Sequence, residues 1–295
     1  DAGNYKLKEQ PTGVTVTINK ITWTNTSATG SAKYGTSGSV DLSSYLAPGG
    51  HFGTITKTDS ENVISGDPSM DGNTLKFTFV NDASKAGKTA TISVPVTDAT
   101  NYNNYTITVT VTVNNKTTPT VTAPTAKAGL VYNGADQVLI NTGSTTGGTL
   151  QYSLTSGSGY SPELPKAENA GNYIVYYKVI GNDDYADVAE NSISVSVAKR
   201  TISVKADNKS MTVNGTLPTF TVSYGNFASG DSEADVIATK ANASCAATGT
   251  STGSFSITVG GTTVLKSGKD TNYEVGTPES GTLTVNSAYS GGGSY

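Results

Sequence analysis

Cysteine is almost missing from this chain. Cys245 is the only one among 295 residues, and His51 is the only histidine. A single thiol cannot close an intrachain disulfide, and one Cys with one His cannot build a zinc cluster. A Cys–His nucleophile pair would have to join two distant parts of the chain. His51 sits in the turn-like run Pro48-Gly49-Gly50-His51-Phe52, and Cys245 sits in the small-residue run Ala243-Ser244-Cys245-Ala246. Both read as structural positions. Charge is also sparse. Charged residues make up 14% and the net charge is −4, spread along the chain, so there is no basic footprint for nucleic acid. No apolar run approaches the ~18–20 residues that span a bilayer, and no membrane insertion is expected. Helical periodicity is missing too. The best candidate is Glu233-Ala234-Asp235-Val236-Ile237-Ala238, a turn or two after an Asp231 or Ser232 cap.

What remains is polar. Hydrophobic residues reach 35%, too few for one large core, while the low charge argues against a disordered tail. Thr, Ser, Gly and Asn dominate. Thin β-sandwiches suit this composition, because a strand needs only every second residue to be apolar. The run Thr106-Ile107-Thr108-Val109-Thr110-Val111-Thr112-Val113 puts Ile and Val on one face and Thr on the other. Ser192-Ile193-Ser194-Val195-Ser196-Val197, Gly281-Thr282-Leu283-Thr284-Val285 and Val14-Thr15-Val16-Thr17-Ile18 repeat the pattern. Each reads as the closing strand of a module. An Asn-Tyr pair precedes each run, at Asn4-Tyr5, Asn101-Tyr102, Asn172-Tyr173 and Asn272-Tyr273. Recurrence at roughly 70–100 residues marks a tandem array.

The fold class expected is all-β: tandem β-sandwich domains in an elongated array. Residues 1–19 read as the terminal hairpin of a truncated preceding repeat, and Asp1 opens mid-motif, so a piece of something longer is expected. Residues 20–116, 117–199 and 200–286 form three modules, and 287–295 a Gly/Ser tail. In the first module, strands are expected near 20–24, 74–80, 89–96 and 105–113. Asp71-Gly72-Asn73, Asn133-Gly134, Gly147-Gly148, Asn214-Gly215 and Gly260-Gly261 read as hairpin turns. The joints between modules are a few residues long, which favours a rod over a floppy string.

These landmarks carry a resemblance. Leu130-Val131-Tyr132-Asn133-Gly134, Gly147-Gly148-Thr149-Leu150-Gln151-Tyr152 and Ala170-Gly171-Asn172-Tyr173-Ile174-Val175-Tyr176-Tyr177 resemble immunoglobulin-like repeats of large surface proteins from anaerobic Gram-positive bacteria. Ile202-Ser203-Val204-Lys205-Ala206-Asp207, Leu217-Pro218, Gly230-Asp231, Asn272-Tyr273 and the closing Gly281–Val285 run are similar to the bacterial Ig-like MBG repeats. That family usually has Tyr-Gly where this chain has Val213-Asn214-Gly215. The resemblance implies immunoglobulin-like sandwiches in an extracellular, surface or wall location. Such repeats occur in adhesins, stalks and surface-anchored enzymes alike, so likeness of fold does not carry function.

Candidate sites are few. Asp183, Asp184 and Asp187 crowd carboxylates into one loop, and Asp231, Glu233 and Asp235 into another. Hard cations want six to eight oxygens, so calcium is the one cofactor considered. Asp67 and Asp71 form a thinner cluster. Neither loop has the full EF-hand spacing, and Asp is also a turn former. For sugar stacking, Tyr176 and Tyr177 are adjacent on a strand, so one faces out. Tyr177 is expected to face out, with Tyr160 and Tyr185 on nearby loops as companions. A Lys–Asn crosslink would need Lys205 or Lys209 with Asn286, or Lys20 with Asn114, beside a buried acid. No carboxylate pair sits in a cleft-forming context. The primary expectation is a non-enzymatic stalk or adhesion region, a monomer whose partner is a host, plant or microbial surface glycan or protein. A carbohydrate-binding array and an accessory region of a polysaccharide-degrading enzyme are the alternatives.

Overall fold

The computed structural model describes Gly13 and residues 17–288. The expected hairpin of residues 1–19 lies outside the described residues apart from Gly13 and 17–19, and so does the tail from 289 onward. The chain divides into two compact units. One runs to residue 118 and takes in 181–186; the other comprises 119–180 and the residues from 187 on.

The first unit is a two-layer sandwich. One sheet has the order Ser27–Lys33, Tyr105–Asn114, Thr89–Thr97 and His51–Phe52, with Thr56–Thr58 also on Thr89–Thr97. The facing sheet is Ser37–Asp41, Thr74–Thr78 and Ser69–Asp71. Period-two alternation explains the burial. Ile107, Val109, Val111 and Val113 point inward with Ile92, Val94 and Val96, and they meet Leu75, Phe77 and Phe79 from the other layer. Thr on the other face stays wetter. Ser27–Lys33 runs parallel to the closing strand, Ser27 beside Thr108 through Lys33 beside Asn114.

The second unit holds two strand groups. In one, Thr149–Ser153, Gly171–Ile180 and Val188–Val197 form an antiparallel sheet. It faces three short ladders, Thr125–Ala126 with Ile140–Asn141, Gln137–Val138 with Lys166–Ala167, and Val121–Thr122 with Ser144–Thr145. Leu139, Ile140, Tyr152, Val175, Val195 and Val197 fill the space between. In the other, Val222–Gly225, Arg200–Ala206 and Tyr273–Val275 form one layer. Lys209–Thr212, Gly281–Asn286, Gly253–Gly260 and Asn242–Cys245 form the other. Leu283, Val285, Ile257 and Met211 pack between them. Helix is confined to short turns such as Glu233–Val236. The fold is all-β and immunoglobulin-like throughout the described residues.

Three sequence expectations need correction. Residues 20–24 form no strand, only a bridge at Ile21. Of the five turn dipeptides, Asp71-Gly72-Asn73 alone closes a hairpin, between Ser69–Asp71 and Thr74–Thr78. Gly147-Gly148, Asn214-Gly215 and Gly260-Gly261 carry the chain between different sheets or ladders. Their left-handed residues, Gly148, Asn214 and Gly261, are needed to turn the chain, and a sheet change needs that as much as a hairpin does. Third, Asn172-Tyr173 lies inside Gly171–Ile180, the antiparallel neighbour of its closing strand, whereas Asn101-Tyr102 and Asn272-Tyr273 come after the corresponding neighbours, Thr89–Thr97 and Gly253–Gly260. The matching place is held by Asp184-Tyr185.

The lone tryptophan reports on the first unit. Trp23 lies 4.9 Å edge-on to Tyr102 and 6.2 Å from Tyr105. Phe79, 1% exposed, anchors that core, and Phe79→Ala should cost about 3–5 kcal/mol. Urea unfolding followed by Trp23 emission should show this shift in midpoint. Leu283→Ala, in the other unit, should leave the Trp23 transition in place.

Candidate functional site

One arrangement occurs three times. The N–H of Ile21 donates to the Asn101 carbonyl at 3.0 Å, that of Thr117 to the Asp184 carbonyl at 2.9 Å, and that of Arg200 to the Asn272 carbonyl at 2.8 Å. The acceptor in each case precedes a tyrosine, and each joint residue lies parallel to it: Ile21 with Tyr102, Thr117 with Tyr185, Arg200 with Tyr273. The return bonds, Asn103 N–H to the Ile21 carbonyl and Ala186 N–H to the Thr117 carbonyl, close the first two. A lysine precedes every joint residue. Lys20 Nζ donates to the Ala99 carbonyl at 2.9 Å, Lys199 Nζ to the Asp270 carbonyl at 2.5 Å, and Lys116 Nζ lies 5.0 Å above the Tyr34 ring. Sequence reasoning marked Lys199-Arg200 as a connector. It missed that the connector is clamped to a loop, although the Lys repeated before each joint residue is a visible signal.

The clamp is most elaborate around Tyr273. This ring is 1% exposed and shares a core cluster with Ile202, Ala228, Val236 and Ile237. Tyr132, from the module of residues 117–199, lies in this cluster, its ring 5.3 Å from Tyr273 and edge-on. Asn272 grips the same neighbour: its Oδ1 accepts the Ala170 N–H at 2.8 Å, and its Nδ2 donates to Asn169 Oδ1 at 2.8 Å. Gly134 has φ +81°, and a Cβ there would lie 2.7 Å from the Ser229 carbonyl oxygen, so glycine permits the close approach. Beneath the ring, the Tyr273 hydroxyl donates to Asp231 Oδ2 at 2.7 Å and accepts the Ala228 N–H at 2.9 Å. Lys269 Nζ sits 2.7 Å from Asp231 Oδ1. The Lys269 ammonium holds the Asp231 carboxyl below its ordinary range, with the Tyr273 hydroxyl adding to the effect and burial opposing it. Burial, and then the neighbouring carboxylate, push Tyr273 up to about 12.

Most of the candidate calcium carboxylates are engaged separately. Asp231 is taken as above. Asp235 accepts the Ser232 N–H at 2.9 Å and the Ser232 hydroxyl, and Glu233 pairs with Lys240. Asp184 pairs with Lys33 at 2.6 Å. Asp183 is exposed, as is Asp187, which has contacts of its own. Asp67 and Asp71 pair with Lys57 and Lys76. Among the described residues no group of three or more His, Cys, Asp or Glu side chains is placed to hold a metal ion.

The tyrosines divide differently from expectation. Tyr177 is 9% exposed and packs in the core, so Tyr176 is the outward member of that pair. The strand register puts even-numbered residues of this stretch outside. Tyr160 is half-buried; Lys178 Nζ lies 4.2 Å from its ring centre, and its hydroxyl donates to Glu190. One face of that ring is therefore covered. Tyr185 is half-buried in its clamp beside Thr117. The crosslink pairs do not align: Thr212, not Lys209, lies beside Asn286, and Lys205 faces Glu279 at 3.8 Å. His51 lines a groove of about 600 Å³ with Phe52, Ile55 and Met70, whose lining carries no carboxylate.

Residues 202–284 match the family described as MBG domain (YGX type). No curated protein matches the chain. Among solved structures, the chain is similar to the N-terminal four Ig domains of Dscam1 isoform 4.44 at 11% identity. That match covers 89% of this chain and 73% of the other, with a TM-score of 0.23. It is also similar to Drosophila N-cadherin EC1-3 (14% identity, 79% and 89% covered, TM-score 0.23). The endo-fucoidan hydrolase MfFcnA4 from glycoside hydrolase family 107 is a further match, at 12% identity, 89% and 43% covered, TM-score 0.20. Over residues 202–284 the chain is similar to an MBG-type repeat.

The Asp231 geometry sets a pH dependence. Its folded pKa lies below the ordinary carboxylate value, so its stabilisation is present above about pH 4 and is lost as pH falls through the folded value. Asp231→Asn should cost about 1–3 kcal/mol at neutral pH. The gap between variant and parent in denaturant midpoint should close progressively below about pH 4.

Proposed function

We propose that this chain is a non-enzymatic stalk and adhesion region of a secreted or wall-anchored bacterial surface protein. The observation that carries this reading is the joint at Tyr273. There, Tyr132, Asn169 and Ala170 are held by a buried aromatic contact and two hydrogen bonds from one asparagine. A connector clamped in this way transmits orientation from one sandwich to the next, which is what a spacer needs. The three clamps, at Ile21, Thr117 and Arg200, repeat the same design. The composition, rich in Thr and Ser and almost free of cysteine, supports an extracellular location. The resemblance of Leu130–Gly134 and Ala170–Val179 to surface repeats supports a Gram-positive anaerobe as the source. The MBG match over residues 202–284 supports a repeat region in place of a catalytic domain. Among the described residues no helix is long and apolar enough to cross a membrane.

Residual dipolar couplings on the full chain test this. Amides of the strands Gly171–Ile180 and Gly253–Gly260 should fit a single alignment tensor. In Tyr132→Ala with Asn272→Ala, the two sets should require separate tensors of smaller magnitude. Separate tensors in the unaltered chain would remove the basis for the stalk reading.

A further inference from the structure

Two asparagines in the chain are followed directly by glycine, Asn133 and Asn214. Both are exposed. An Asn-Gly pair carries a latent reaction. The glycine nitrogen can attack the asparagine side-chain amide, and a glycine has no Cβ to stand in the path. The rate then depends on how the backbone holds that nitrogen. The fold holds the two pairs differently.

At Asn214 the nucleophile is tied. The Gly215 N–H donates to the Thr212 carbonyl at 2.9 Å and closes a four-residue turn. The Asn214 N–H donates to the Gly249 carbonyl at 2.8 Å, and Asn214 itself is held left-handed at φ +60°. To reach the Asn214 side chain, the Gly215 nitrogen must give up its carbonyl and unwind the turn. At Asn133 the nucleophile is untied. Among the described residues the Gly134 N–H makes no hydrogen bond. The Ala135 N–H donates to Asn133 Oδ1 at 3.0 Å, which folds the side chain back along its own backbone. The ring closed by this bond includes both Asn133 Cγ and the Gly134 nitrogen. The bond also puts a donor on the oxygen where negative charge develops during attack.

We propose that Asn133 is a site of spontaneous deamidation that loosens the joint beside it, and that Asn214 is protected. The Gly134 nitrogen loses its proton to solvent base, and its electron pair forms a bond to Asn133 Cγ. Oδ1 takes the negative charge under the Ala135 N–H. Collapse breaks the Cγ–Nδ2 bond, and Nδ2 takes a proton from water and leaves as ammonia. The product is a five-membered cyclic imide, which water opens at either carbonyl. Breaking the bond from nitrogen to Cγ leaves aspartate. Breaking the bond from nitrogen to the Asn133 main-chain carbon leaves isoaspartate, whose chain runs through the side chain and is one carbon longer. Water is the only co-reactant.

The consequence follows from the neighbours. Tyr132, just before, donates its N–H to the Ala198 carbonyl at 2.9 Å and packs edge-on against Tyr273. Gly134, just after, is seated against the Ser229 carbonyl, where a Cβ would lie 2.7 Å from the oxygen. An added backbone carbon between these two fixed points pushes one of them off its contact. The proposal goes beyond the stalk reading, since the reaction at 133–134 proceeds or fails whatever the array carries.

Peptide mapping by mass on the full chain, held in mildly alkaline buffer, tests it. The Asn133 peptide should gain the mass of one NH₂-to-OH exchange roughly tenfold faster than the Asn214 peptide, because a backbone hydrogen bond must be released at 214. In urea the two rates should converge. Asn133→Ser keeps an acceptor for the Ala135 N–H but has no amide to lose. It should leave the far-ultraviolet circular dichroism unchanged and abolish the conversion. After conversion, the Tyr132 amide should exchange with solvent faster than in the Asn133→Ser chain treated alike. Conversion at Asn214 as fast as at Asn133 in the folded chain would overturn the proposal. So would an Asn133 that stays intact, a gap between the two sites that persists in urea, or a converted chain whose Tyr132 amide exchanges as in Asn133→Ser.

Discussion

A backbone hydrogen bond decides where each sandwich begins. The joint residue gives its N–H to the carbonyl before a loop tyrosine, at Ile21, Thr117 and Arg200. A short polar connector would otherwise lose its backbone groups to water and pivot freely. Tied to a loop of its own sandwich, it enters the first strand at a set angle. The lysine before it, at 20, 116 and 199, adds a second tether through a carbonyl or an aromatic face. The residue before the tyrosine then has its side chain available for a neighbour. Asn272 uses both ends of its amide on Asn169 and Ala170, and Asp184 uses its carboxylate on Lys33. The same loop position is thus a backbone clamp and a side-chain grip.

The aromatic partner in that grip follows a pattern as well. Tyr34, Tyr132 and Val213 occupy one structural place: each donates its N–H to the end of a closing strand, at Asn114, Ala198 and Asn286. Tyr34 and Tyr132 are both nearly buried. Tyr132 lies against Tyr273, and Tyr34 lies beneath the Lys116 ammonium. Valine at position 213 cannot offer a ring to a neighbour. The departure from Tyr-Gly at Val213-Asn214-Gly215 therefore has a physical meaning that the sequence alone did not supply.

Much of the fold was legible because one signal, period-two alternation, needs no tertiary context. The Thr/Val runs at 106–113, 192–197 and 281–285 all lie within closing strands. The early strands were not legible. Ser27–Lys33 and Lys209–Thr212 are short and polar, and only their parallel pairing makes them strands. The turn dipeptides gave positive φ correctly but not the sheet to which the chain went next, since that depends on packing. At the joints the tyrosines are visible as a repeat, yet the Asn-Tyr letters point to Asn172-Tyr173 where position in the strand order selects Asp184-Tyr185. The inward position of Tyr177 is hidden for a similar reason: adjacent tyrosines fix alternation but not its phase. Lys33 with Asp184 and Tyr132 with Tyr273 are contacts between residues far apart in sequence, which no local pattern encodes.

Amide hydrogen exchange at Ile21, Thr117 and Arg200 tests the clamp most directly. If the joint is held by the bond to the tyrosine loop, these amides exchange slowly, approaching the rates of buried strand amides such as Val109 and Leu283. If they exchange as fast as exposed loop amides such as Ser267, the connectors are free and the sandwiches are not set by them.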